Sequence, residues 1–180
     1  MKTAEKKDVG QEQQFESINT LKDLQKKGQV VDYEDLKTYI ERVKKGQASI
    51  LWTGNPEYFA KTSGTTSGSK YIPISKEGMP FQTEAAKSML FHYIAQKNNA
   101  DFVTGKLIFL QGSPKLEEKF GIKTGRLSGI VAHHIPNYLQ KNRLPSFKTN
   151  EIEDWETKVD EIVKETEKEN MTLISGIPPW

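Results

Sequence analysis

The first apolar repeat along the chain is helical. Thr20 is a capping residue with Asp23 three positions on, Leu21 and Leu24 on one side, and Gly28 as a stop. Asp32 repeats the signal: Tyr33, Leu36, Tyr39, Ile40 and Val43 recur at three- and four-residue steps, and Gly46 ends them. The period changes at Tyr71, where "YIPIS" is short and rich in β-branched residues, with Pro73 marking an edge or a bulge. Tyr58-Phe59-Ala60 is a second strand-like run, separated from the first by a polar segment. Paired apolar steps at Ala85-Ala86, Met89-Leu90 and Tyr93-Ile94 then predict a long helix. "KLIFLQG", Lys106 to Gly112, predicts a buried strand, whereas the glycine-rich "GIKTGRLSGIVAHHIP" has no single period. Ile152, Trp155, Val159, Ile162 and Val163 make one stripe of a late helix whose other faces are Glu and Lys, and "MTLISG" closes the pattern as a strand.

Strands alternating with helices predict an α/β fold, a β-sheet covered by helices. The organisation expected is a helical N-terminal segment over residues 1–56 and an α/β portion over residues 57–180. The final "ISGIPPW" reads as a buried strand about to hand over to another element, so the expectation is a chain truncated at residue 180 out of something longer.

Composition narrows the classes. The 180 residues carry 26 basic and 24 acidic side chains, a formal net charge of +2, and Lys6-Lys7, Lys26-Lys27 and Lys44-Lys45 are short clusters lying beside acids. That excludes the basic stripe on which nucleic-acid binding depends. No apolar run approaches the roughly 20 residues of a membrane helix, and "MKTAEKKDVGQEQQ" has no signal-peptide core. The absence of cysteine removes disulfides, thiolate metal sites and a thiol nucleophile together. The expectation is a soluble, cytoplasmic protein without a nucleic-acid or membrane partner.

Chemistry concentrates in "KTSGTTSGSK", Lys61 to Lys70. Three readings compete for it. In an ATPase phosphate loop, G-x-x-x-x-G-K-[ST], a hydroxyl on the magnesium ion follows the lysine and the loop opens a helix. Here Gly64 and Gly68 enclose three residues, Ser69 precedes Lys70, and Tyr71 opens a strand, so that reading fails on spacing, ligand and context. A flexible linker explains the glycines but not the apolar strand-like runs on both sides. The third is a phosphate clamp of another architecture, with hydroxyls, glycine-freed amides and one lysine presented between two strands.

"KTSGTTSGSKYIPIS" resembles the first ATP-binding motif of the adenylate-forming superfamily, commonly T-S-G-T-T-G-x-P-K. With the extra Ser67 and the continuation "KYIPIS", it is most similar to the auxin-responsive acyl-acid amido synthetase family, in its bacterial-type form. "VDYEDLKTYIERVKKGQ" and "LISGIPPW" extend the likeness from about Phe15 to Trp180. The resemblance implies an enzyme that adenylates a carboxylic acid with ATP and transfers the acyl group to an amino-acid amine. It implies that Ser63, Gly64, Thr65, Thr66, Ser67 and Gly68 hold the phosphates, that Lys70 meets the outer phosphates or swings with the loop, and that Thr62 anchors its start. ATP and Mg2+ are the cofactors implied, and no catalytic residue is assigned. The family's aromatic-Ala-Ser-Ser-Glu and Tyr-Arg-x-Gly-Asp segments do not occur here, which places the magnesium ligands outside this chain and leaves it inactive alone. An acyl-CoA ligase-like adenylating enzyme is the nearest alternative. A non-catalytic nucleotide-binding or interaction module is the alternative of a different class.

Other motifs carry less. His133-His134 lacks ligand spacing and a cysteine partner, so packing near a substrate pocket is expected rather than metal binding. "RLSGIVAHH" suits an acyl-pocket lining or a buried turn-strand equally. Trp155 and Trp180 are expected in the core, and the Glu/Lys repeats of residues 151–169 on a solvated helix face.

Overall fold

The computed structural model describes residues 2–62, 68–135 and 137–176. In chain order its elements are α1 (Asp8–Glu12), α2 (Leu21–Lys27), α3 (Tyr33–Lys44), β1 (Tyr58–Lys61), β2 (Tyr71–Ile74), α4 (Met79–Lys97), β3 (Lys106–Leu110), β4 (Glu117–Lys119) and β5 (Ile122–Gly125). There follow α5 (Leu127–Ala132), α6 (Asn137–Gln140), β6 (Arg143–Leu144), α7 (Phe147–Asn150), α8 (Trp155–Thr166) and β7 (Met171–Gly176). Short 3-10 turns sit at Phe15–Ser17 and Asp101–Val103. The fold is α/β. The chain divides into two compact units, residues 1–76 with 118–124, and residues 77–117 with 125–180.

The first unit is built on the two caps read from sequence. The Thr20 hydroxyl accepts from the Asp23 amide at 3.1 Å, and the Asp23 carboxylate accepts from the Thr20 amide at 2.9 Å, a reciprocal capping box. Asp32 and Asp35 repeat it at the start of α3, where Asp32 accepts from the Glu34 and Asp35 amides at 2.7 and 3.2 Å. Gly46, at φ +84°, follows the end of α3 in a backbone conformation that a side chain would strain. Arg42 on α3 pairs with Asp8 on α1.

The sheet of this unit runs β2-β1-β5-β4. β1 and β2 pair antiparallel with Tyr58 opposite Ile74 and Lys61 opposite Tyr71. Pro73 sits on the outer strand, where its missing amide proton breaks no ladder, as the sequence predicts. Ile40 and Val43 of α3 close over Ile50, Phe59 and Ile122 to form the core, and Phe59 is fully buried. β4 and β5 are joined by a two-residue turn in which Phe120 and Gly121 both have positive φ, +58° and +70°. That handedness matches the twist of the flanking strands.

The second unit carries a three-stranded parallel sheet in the order β6-β3-β7, with β3 central. The expected strands at 106–112 and 171–176 are β3 and β7, with β3 ending two residues early at Leu110. The glycine-rich middle resolves into β5 and α5. Gly129 lies where a Cβ would meet the Ser113 carbonyl oxygen at 2.5 Å, so only glycine lets α5 approach that backbone. Gly129, Ile130 and Ala132 are buried there.

α4 forms as predicted, and its paired apolar steps do not make a buried stripe. Met79 is its buried residue, while Met89, Tyr93, Phe81 and Phe91 stay exposed, because these positions lie all round the helix. In α8 the expectation of a core Trp155 needs correction: Trp155 is 46% exposed, and Val159 and Val163 of the same stripe are exposed as well. Trp155 opens the helix directly after the Asp154 cap. The buried residue of α8 is Lys158. Trp180 lies outside the described residues. Among the described residues no helix is long and apolar enough to cross a membrane.

Candidate functional site

The hydroxyl-glycine segment joins β1 to β2. The pairing of the two strands ends at Lys61 and Tyr71. One further hydrogen bond, from the Thr62 amide to the Lys70 carbonyl oxygen at 3.0 Å, closes the base of the connection. Gly68 has φ +81°, with nothing within 4 Å of a hypothetical Cβ. Its freedom is therefore conformational and not steric. Thr62 and Gly68 are exposed and Lys70 is half-buried. Ser63, Gly64, Thr65, Thr66 and Ser67, the other expected phosphate-holding residues, lie outside the described residues.

Aromatic side chains hold the exit of this connection. The Tyr71 amide donates to the Tyr33 hydroxyl at 3.0 Å, and the Lys70 ammonium stands 5.0 Å from the centre of the Tyr33 ring. Tyr33 is the first residue of α3, so the Asp32 cap sets where this phenol points. The Tyr71 ring meets Phe59 and Phe120 edge-to-face at 6.0 and 5.7 Å, and Phe59 meets Phe120 at 6.3 Å. Lys44 lies 4.9 Å from the centres of both the Tyr71 and Phe120 rings while pairing with Glu41 at 2.6 Å. Sequence reading did not find Tyr33, Lys44 or Phe120. Tyr33 counted only as an apolar position of α3, and no periodicity connects it with an amide 38 residues away.

Chemically, the described part of the connection suits an anion. No acidic residue occurs between Tyr58 and Ile74, and Lys61 and Lys70 flank the hydroxyls. The same composition means that a magnesium ion would find no carboxylate ligand there. A cavity of about 230 Å³ in the same unit is lined by Val43, Ile50, Leu51, Trp52, Pro73 and Ser75 among others. It belongs to the Ser75 end of β2, and Thr62, Gly68 and Lys70 do not line it.

His133 is a packing residue. Its Nε2 is 2.8 Å from the Pro114 carbonyl oxygen, and its ring stands edge-on to Phe147 at 5.1 Å. In the "RLSGIVAHH" run Arg126 and Leu127 are exposed and Ile130 is fully buried, so its apolar residues are divided between surface and core. On the neighbouring helices Glu165 accepts from the Ser146 amide and hydroxyl at 2.6 and 2.7 Å and from the Thr149 hydroxyl at 2.6 Å. Burial pushes its carboxyl up, but these three donors together outweigh burial and hold it below the usual glutamate value.

Comparison with known proteins gives the family. Residues 1–172 match the family model described as the GH3 family N-terminal domain. Jasmonoyl-L-amino acid synthetase JAR4 of Nicotiana attenuata is 30% identical over 99 residues, which is 53% of this chain and 17% of that protein. JAR6 of the same plant is 31% identical over 101 residues, again 53% and 17%. The chain thus matches about a sixth of the length of these relatives. Among solved structures, the GH3.15 acyl acid amido synthetase superposes with a TM-score of 0.63 at 16% identity, over 82% of this chain and 26% of that one. A complex of AtGH3.15 acyl acid amido synthetase with 2,4-DB gives 0.54 at 20% identity, over 74% and 23%. The likeness to the solved structures is one of fold, and the family match covers nearly the whole sequence: the chain belongs to the GH3 family, over the part described as its N-terminal domain.

Proposed function

We propose that this chain is the phosphate-holding portion of an ATP-dependent acyl-acid amido synthetase, which adenylates a carboxylic acid and passes the acyl group to an amino-acid amine. The observation that carries the reading is the β1–β2 connection itself: a serine-, threonine- and glycine-rich segment closed at its base by the Thr62–Lys70 hydrogen bond, in a member of the GH3 family. The relatives named above as jasmonoyl-amino acid and acyl acid amido synthetases supply the substrate classes, a small carboxylic acid and an amino acid.

In this reading Thr62, Ser63, Gly64, Thr65, Thr66, Ser67 and Gly68 bind the triphosphate through backbone amides and hydroxyls. Bound ATP supplies the α-phosphorus that the carboxylate attacks and the pyrophosphate that leaves. Lys70 brings one positive charge to the outer phosphates from a position over Tyr33. Mg2+ accompanies the nucleotide, held by groups other than this carboxylate-free hairpin. The Ala-Ser-Ser-Glu and Tyr-Arg-x-Gly-Asp type segments belong to the rest of such an enzyme. The chain by itself therefore binds nucleotide without completing the reaction.

Calorimetric titration of ATP into the native chain, Ser63→Ala and Lys70→Ala tests this. Each substitution is expected to weaken binding about tenfold, about 1.4 kcal/mol. Equal affinity in all three proteins would sink the reading. Acid-dependent pyrophosphate exchange by the native chain would instead assign it the complete first half-reaction.

A further inference from the structure

The C-terminal end of the central strand β3 carries a polar cluster that the phosphate-loop reading does not use. Asn150, the last residue of α7, and Lys158, within α8, are 2% and 7% exposed. The Lys158 ammonium donates to the Asn150 carbonyl oxygen at 2.9 Å. The Asn150 amide nitrogen donates to the Pro145 carbonyl oxygen at 3.3 Å, which leaves Asn150 Oδ1 buried without a donor. Just past β3, Gln111 Nε2 is buried without an acceptor. Orphaned groups of this kind are costly in a protein interior, and native folds supply them with partners.

Gln111, Asn150 and Lys158, with Leu110, Trp155 and Ile162, line a cavity of about 10 Å³. One water needs about 10–15 Å³ and two to four polar partners, whereas a phosphate or carboxylate needs far more room. We propose that this cavity is a hydration site for a single ordered water, which accepts from Gln111 Nε2 and Lys158 Nζ and donates to Asn150 Oδ1. Three of the water's four hydrogen-bonding positions are then filled: both lone pairs receive a proton, and one of its own protons meets the orphaned oxygen. The ammonium gains a second acceptor beyond the Asn150 carbonyl. The water ties α7 and α8 to the end of β3, the end of a parallel strand at which α/β proteins place their ligands.

The charge on Lys158 makes the site measurable. Burial first, and the positive charge of Arg126 second, hold its pKa below the ordinary lysine value. A water oxygen facing the ammonium offsets part of that. The test is a crystal structure of the native chain at about 1.5 Å or better, with an NMR titration of the lysine amines in native protein and in Gln111→Met. The expected result is density for one water within hydrogen-bond distance of the three atoms. Displacing it in Gln111→Met is expected to move the Lys158 titration to lower pH. A direct Gln111–Asn150 hydrogen bond with no density between them, or an unmoved Lys158 titration in the folded variant, overturns the proposal. Should Gln111→Met not fold, the native crystal structure decides alone.

Discussion

The Tyr71 amide and the Tyr33 hydroxyl meet at 3.0 Å, and the same phenol ring lies under the Lys70 ammonium. One aromatic residue of α3 thus holds both the backbone and the cation at the exit of the hydroxyl-glycine connection. Tyr33→Phe keeps the ring and removes the acceptor, leaving a part-buried amide without a partner. It is expected to cost about 1–2 kcal/mol of stability in urea unfolding. Tyr33→Leu removes the ring as well and frees Lys70. ATP binding should then weaken several-fold beyond the effect of Tyr33→Phe, read by calorimetry. Identical ATP affinities in the two variants would show that the ring does not position the lysine.

Phe120 occupies a left-handed conformation, φ +58°, that glycine or asparagine adopts with less strain. Yet its ring contacts Phe59, Tyr71 and Lys44. Replacing it by glycine relieves about 1–2 kcal/mol of backbone cost. It also removes two edge-to-face pairs at about 0.5–1.5 kcal/mol each, a cation–π contact of about 0.5–1 kcal/mol and the packing of a half-exposed ring. The contacts win, and Phe120→Gly is expected to lower stability by about 1–2 kcal/mol. A Phe120→Gly protein as stable as the native chain would mean that the rings only touch without holding the turn.

The elements that were readable in the sequence are those specified locally. Thr20 with Asp23 and Asp32 with Asp35 satisfy helix amides within one turn, so a few residues contain the whole signal. Pro73 announces an outer strand for the same reason. Family membership was readable from the hydroxyl-glycine segment with its flanks. The burial of α4 and α8 was not. Periodicity reports which residues are apolar, but Met89 and Trp155 are exposed because coverage depends on what other elements pass over them. Lys158 is the converse, a charged residue of the Glu/Lys helix that is buried with its ammonium donating to the Asn150 carbonyl oxygen. The Tyr33–Tyr71 contact was invisible for a third reason: it joins a helix start to a strand through tertiary packing alone.

Phe59 is the hub of the first unit. It is fully buried, it belongs to the cluster of Ile40, Val43, Ile50 and Ile122, and its edge contacts reach Tyr71 and Phe120. Phe59→Ala leaves a phenyl-sized cavity beneath both strands of the hairpin. The expected loss is about 3–5 kcal/mol, measured as a lower urea midpoint. Phe59→Leu keeps most of the volume and should recover more than half of that loss. A loss below about 1 kcal/mol for Phe59→Ala would mean the site collapses onto its neighbours.

Glu165 gives the chain an acid-sensitive contact between α8 and the start of α7. Its carboxylate receives the Ser146 amide and the Ser146 and Thr149 hydroxyls, and its folded pKa lies below the ordinary glutamate value because those donors outweigh burial. A carboxyl whose pKa is depressed on folding contributes stability above its unfolded pKa and loses it as the pH falls through the folded one. Glu165→Gln keeps the shape but presents one acceptor and two donors to three donors. At neutral pH the variant is expected to be less stable by about 1–2 kcal/mol. As the pH drops below the ordinary glutamate range the native chain protonates and the two stabilities converge. Urea midpoints of both proteins between about pH 7 and pH 3 measure this. A gap that stays constant across that range would show that the side-chain shape, and not its charge, secures α7 to α8.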